Sequence, residues 1–127
     1  MPVNPGWKAA KIQDIPPLRD TFMKGWHSVR HHMDIRAFGV NAVTVGAGEE
    51  LVKPHDEAQS MQQELFVILS GEAEFELDGQ KLNADTGTAV AVDPNVERSA
   101  MALKSPTSVL IIGAKPGEIY TPPSWDE

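Results

Sequence analysis

Apolar and polar residues along this chain alternate in short runs broken by glycine, proline, asparagine and aspartate, a rhythm that predicts strands. Ile35 to Val45 is rich in β-branched and aromatic residues and ends at Gly46-Ala47-Gly48, which reads as one strand. Leu51 to Glu57 is the next extended piece, and Ala58 to Gln63 is a polar connection. Leu65 to Leu69 is apolar at every position, the pattern of a strand covered on both faces. Glu72 to Leu77 alternates strictly, with Glu72, Glu74 and Glu76 on one face and Ala73, Phe75 and Leu77 on the other, so it has one wet face. Asp78-Gly79 follows at once and predicts a type I′ hairpin, whose two central residues both need positive φ, with Lys81-Leu82 running back. Asp85-Thr86-Gly87 is a turn, Thr88 to Val92 a short strand, and Asp93-Pro94-Asn95 breaks it. Arg98 to Leu103 alternates Arg98, Ala100 and Ala102 against Ser99, Met101 and Leu103. Ser108 to Ile112 follows the turn at Ser105-Pro106.

The flanks are different in kind. Residues 1 to 24 are interrupted by Pro2, Pro5, Pro16 and Pro17 and predict an arm with one strand. Between Gly25 and Asp34 lie Trp26, His27, His31 and His32. On a strand the adjacent histidines face opposite ways and cannot easily share a metal, so they are assigned a surface or edge-strand role. Gly113 to Glu127 predicts a tail anchored by Tyr120 and Trp125 on the barrel or on a partner. Seven to nine short strands and no amphipathic helix of any length make the chain all-β, an antiparallel sandwich or barrel. It is expected to form one domain over residues 1–127, with the core at about residues 35–113.

Charge and composition narrow the partners. Eleven basic against eighteen acidic residues leave a formal charge of -7, with no Lys/Arg block, which argues against nucleic acid or an anionic membrane surface. No apolar run approaches a membrane span, and no secretory signal opens the chain, so the expected location is the cytoplasm. The absence of cysteine excludes disulfides, Cys-based zinc sites and thiol catalysis. The second face of Leu65 to Leu69 needs cover, from the arm with Trp7 or from a second copy, which makes a homodimer the expected assembly.

The chemistry concentrates in Lys53-Pro54-His55-Asp56-Glu57 and in Glu64, which opens the following apolar run. Residues two apart on a strand project together, so His55 and Glu57 share a side, and Glu64 can meet them from a neighbouring strand. One imidazole nitrogen and two carboxylates form a three-ligand set that leaves a divalent metal with open positions. The competing reading is a strand-end histidine beside two solvated carboxylates.

With these residues in view the chain resembles the cupin superfamily of small jelly-roll barrels. The family's first motif is G-x5-H-x-H-x(3,4)-E-x6-G. Glu64 and Gly71 keep its spacing, His55 takes the first histidine position and Glu57 the second. In the second motif, G-x5-P-x-G-x2-H-x3-N, Gly87 is followed by Asp93 at the proline, Asn95 at the glycine, Arg98 at the histidine and Ala102 at the asparagine position. The resemblance covers Phe38 to Ile112 and implies a cupin jelly-roll β-barrel or sandwich with an N-terminal arm and a C-terminal tail. It also implies a divalent metal (Zn, Fe, Mn or Ni) at His55, Glu57 and Glu64. Two departures stand out: six residues separate Glu57 from Glu64, and Arg98, which cannot ligate a cation, occupies the last ligand position.

Two arrangements follow. Arg98 forks onto Glu57 or Glu64 and an ion pair replaces the metal, or a metal stays on three ligands and Arg98 holds an anionic substrate at the open positions. The functional expectation is a small cupin that binds a small anionic molecule in the barrel. As a metal-dependent enzyme of dioxygenase, isomerase or lyase type it would use His55, Glu64 and Arg98 as catalytic candidates. The alternative is a non-catalytic ligand-binding or sensor cupin without a metal.

Overall fold

The computed structural model describes residues 6–16 and 24–123. Its strands are β1 (Trp26–His27), β2 (Gly39–Val45), β3 (Glu50–His55), β4 (Gln63–Ser70), β5 (Glu72–Leu77), β6 (Gln80–Asp85), β7 (Ala89–Val92), β8 (Arg98–Ala102) and β9 (Thr107–Ala114). They form two antiparallel sheets, ordered β1-β2-β9-β4-β7 and β3-β8-β5-β6. This is the antiparallel sandwich expected from the alternation, in the jelly-roll arrangement that the resemblance implies.

Between the sheets lies one main apolar cluster. Val43, Val45, Phe66, Ile68 and Val109 from the first sheet meet Leu51, Val52, Ala73, Phe75, Ala100 and Ala102 from the second. Phe66 and Phe75 touch across the gap edge to face, centroids 5.6 Å apart, an arrangement that contributes about 0.5–1.5 kcal/mol beyond the area it buries. The β5–β6 hairpin turns at Asp78 and Gly79 with φ of 48° and 83°, the two positive values a type I′ turn requires. The wet face expected for β5 is there, with Ala73 and Phe75 buried and Glu76 exposed.

Three expectations about local structure change. The strand predicted from Ile35 starts at Gly39. His31 and His32 are not on a strand but in a five-residue helix, α1 (Val29–Met33), closed by Asp34 at φ 54°; both are exposed, as surface residues would be. Val29, Ile12 of a short 3₁₀ turn at Ile12–Asp14, and Ile15 pack with Val40, Ala42, Leu110 and Ile112, so the described part of the N-terminal segment covers the outside of β2 and β9, not β4. Trp7 is 70% exposed. On β4, Phe66 and Ile68 face the core, while Leu65 and Val67 are half-buried and Leu69 is exposed. Among the described residues no helix is long and apolar enough to cross a membrane. Trp125 lies outside the described residues.

Register decides what reaches the open end of the sandwich. On the inner face of the first sheet, Val43, Val109 and Ile68 form one row, Asn41, Ile111, Phe66 and Val90 the next, and Gly39, Gly113, Glu64 and Val92 the last. Two glycines stand in that last row, and side chains come close over both. A Cβ at Gly113 would stand 3.1 Å from Gln62 Oε1, and one at Gly39 would stand 2.9 Å from the Tyr120 hydroxyl, which the C-terminal tail brings across the opening.

Candidate functional site

A cavity of about 500 Å³ opens at this end, lined by apolar Trp26, Leu51, Phe66 and Ile111 and by polar His55, Glu57, Glu64 and Asn41, with Tyr120 and Pro123 at its rim. Two segments build its charged corner. β3 ends at His55, whose backbone stands opposite Arg98 of β8. Glu57 lies just beyond the strand, where its N–H donates to Pro94 O at 2.8 Å and its carbonyl accepts from Met61 N at 2.7 Å. Glu64 comes from β4, in the opposite sheet, so it meets the other two across the interior and not from a neighbouring strand of the same sheet.

The three side chains converge. His55 Nε2 is 3.0 Å from Glu57 Oε2 and 3.8 Å from Glu64 Oε1. One ligand atom from each of the three lies within 4.8 Å of the others. His55 Nδ1 is 2.6 Å from Lys53 O, and since a carbonyl only accepts, Nδ1 carries a proton and Nε2 is the nitrogen turned to the carboxylates. Glu57 Oε1 accepts from Ser60 Oγ at 2.5 Å, which fixes that carboxylate from the other side.

Without a cation between them, these groups hold a proton tightly. The Glu57 carboxylate 3.0 Å away first and the Glu64 carboxylate second, against the opposing effect of burial, raise the His55 imidazolium to about 10. For Glu57, burial pushes upward, but the bonds from His55 and Ser60 and the charges of His55 and Arg98 outweigh it, and the carboxyl stays below its usual range.

Arg98 is completely buried and is not among the residues lining the cavity. Its Nη2 donates to Asp93 O at 3.0 Å, and its Nε stands 3.7 Å from Glu64 Oε1, beyond hydrogen-bond reach. The expected fork onto Glu57 or Glu64 is therefore absent: the contact is a single ionic one from behind the carboxylate. Glu64 Oε1, Arg98 Nε and Arg98 Nη1 are buried with no hydrogen-bond partner among the described residues.

The donor set fits a divalent cation. A histidine with its outer nitrogen tied to a carbonyl, two carboxylates on converging walls, and a buried carboxylate oxygen lacking a partner are what such an ion requires.

A family model described as a cupin domain matches residues 41–113, more than half of the chain. The chain belongs to the cupin family. Among solved structures, this cupin is similar to a cupin protein from Bacteroides fragilis at 19% identity and a TM-score of 0.66, covering 90% of this chain and 95% of that one. It is similar to a conserved protein from Streptococcus pyogenes at 17% identity and a TM-score of 0.64, covering 87% and 90%. An RmlC-like cupin protein from Desulfovibrio desulfuricans shares 25% identity at a TM-score of 0.56, covering 62% and 73%. The curated proteins contain no sequence match.

Of the residues singled out in the sequence, this cupin brings His55, Glu57 and Glu64 together and sets Arg98 behind Glu64. Sequence reasoning missed Asn41, Trp26 and Ser60 as site residues. Asn41 had a signal: it is the lone amide on a face it shares with Val43 and Val45.

Proposed function

We infer that this cupin binds a small anionic molecule in its barrel, with a divalent metal held by His55, Glu57 and Glu64. The observation that carries the reading is the convergence of those three donors at the mouth of the cavity, with Glu64 Oε1 buried and unpartnered. Charge counting supports the sign of the ligand. Glu57, Glu64 and Arg98 sum to −1, so a divalent ion beside neutral His55 leaves a local charge of about +1 for an anion to balance. When bound, such an ion supplies Lewis-acid polarisation of a ligand oxygen. The chain's own residues do the rest: Trp26, Leu51, Phe66 and Ile111 exclude water from the ligand's body, and Ser60 orients Glu57. Arg98 touches no ligand in this reading; it acts through Glu64 as a fixed counter-charge. For an enzymatic reaction, His55 and Glu64 are the proton-transfer candidates. The reaction type, whether dioxygenase, isomerase or lyase, follows from the ligand.

One observation favours a second reading, a metal-free binding protein. Protonated His55 and Arg98 together balance Glu57 and Glu64, so the corner is neutral without a metal.

Metal separates the two. Chelator-treated protein is titrated with Zn²⁺, Fe²⁺, Mn²⁺ or Ni²⁺ and its melting temperature followed. An ion at a hundred times its dissociation constant should add about 2.7 kcal/mol of stability, and His55→Ala should abolish the gain. A melting temperature indifferent to all four ions would leave the metal-free reading.

A further inference from the structure

One polar group facing the cavity has no part in the chemistry of the His55–Glu57–Glu64 corner. Asn41 stands in β2 among Val40, Ala42 and Val43, only 7% exposed, and its Oδ1 is buried without a hydrogen-bond partner among the described residues. Buried polar groups are nearly always paired, and an apolar residue of the same shape would pack there without leaving an amide desolvated. Asn41 is nonetheless among the residues that line the cavity, which makes its amide the polar group that β2 brings to that wall.

The register locates this amide relative to the charged corner. Asn41 is aligned with Ile111, and Ile111 with Phe66, one row further into the sheet than Gly39, Gly113 and Glu64. Two strand spacings across and two residues along put the Cα atoms of Asn41 and Glu64 about 12 Å apart. Phe66 and Ile111 fill the interval, and over Gly39 and Gly113 the Tyr120 hydroxyl and the Gln62 side chain come close. The cavity lining thus runs from the charged corner, with the Gln62 amide beside Gly113, through apolar Phe66 and Ile111 to the Asn41 amide. With Phe66 and Ile111 beside Asn41 in its row, a charged ligand group there would be desolvated, whereas a hydroxyl or amide matches the amide's capacity to donate and accept.

We propose that Asn41 is the specificity-determining residue of the cavity, reading a neutral hydroxyl or amide at one end of an elongated ligand whose acidic head lies at His55, Glu57 and Glu64. This rests on the reading of the barrel as a site for a small anionic molecule. A site built around such an amide discriminates strongly against an analogue lacking the matching group, because the amide is then left unpaired.

The test uses matched probes: straight-chain ω-hydroxycarboxylates against the plain carboxylates of equal length, about four to eight carbons to suit the interval. Both series are titrated by calorimetry into the full chain with Zn²⁺ present and again with chelator. At the best-fitting length the parent should bind the hydroxy acid roughly tenfold more tightly than the plain acid, the worth of one well-made hydrogen bond. Asn41→Leu should bind the two alike and melt no lower than the parent. Asn41→Ala, which adds no branch to the wall, should lose the preference in the same way. A parent that binds both series equally, or variants that keep the preference, would overturn the role of Asn41 and leave the proposed function standing. A parent that binds neither series under either condition would overturn both.

Discussion

At the scale of single residues, the coupling of His55 to Glu57 and Glu64 sets how stability follows pH. In metal-free protein the His55 imidazolium is raised from 6.5 to about 10, so its contribution is complete below pH 6.5 and is lost as pH rises toward 10. Glu57 is lowered from 4.5, so its contribution is present above pH 4.5 and is lost as pH falls below it. Stability of the chelator-treated protein should therefore peak between these limits and decline on the alkaline side. Melting curves from about pH 5 to about pH 9 test this: His55→Gln should remove most of the alkaline decline, and an unchanged slope in that variant would rule out the imidazolium as its source. The half-exposed position of His55 moderates the size of the effect, not its sign.

At the scale of elements, two glycines with nearly equal φ carry different burdens. Gly71, at the β4–β5 turn, has φ 78°, and a Cβ there would come within 2.4 Å of Thr107 Oγ1 and 2.6 Å of Pro106 O. Gly79, in the β5–β6 hairpin, has φ 83° and open space around the same position. Gly79→Ala should cost about 1 kcal/mol, the left-handed penalty alone, whereas Gly71→Ala should cost several kcal/mol because backbone must also move. Urea denaturation of the two variants measures the difference. Equal losses would mean that the β9 segment yields easily at Thr107.

At the scale of the whole molecule, the described residues cover only part of the outer face of the first sheet. The N-terminal segment and α1 lie over β2 and β9, while Leu65, Val67 and Leu69 of β4 continue the apolar surface beside exposed Ala89 and Ala91 of β7. We propose that a second copy covers this strip in a homodimer, since a contiguous apolar face is a common seat of self-association. Light scattering should give a dimer mass for the parent and a monomer mass for Leu69→Lys. A monomeric parent, or a dimer that survives the lysine, would assign the strip another role.

The same three scales separate what was written locally from what was not. Alternation predicted the strands because period-two burial is a property of neighbouring residues, and Asp78-Gly79 predicted its hairpin because only residues tolerant of positive φ suit that turn. His55, Glu57 and Glu64 were legible as a candidate ligand set, both from residue chemistry and from their resemblance to the cupin pattern. Local pattern could not say that β3 and β4 lie in opposite sheets, so that Glu64 meets His55 across the core. Nor could it say that Arg98, at a ligand's position in the motif, is sealed behind Glu64 with its hydrogen bond given to Asp93 O. The short helix at His31 and His32 escaped because five residues carry too little periodicity to distinguish from an edge strand. By itself, then, the sequence determined the strand content, the turn chemistry and the candidate ligands. Only the tertiary structure decided which walls they share, that Asn41 faces the cavity, and what the N-terminal segment covers. Those outcomes depend on pairing between residues far apart in the chain, and no local spacing encodes that pairing.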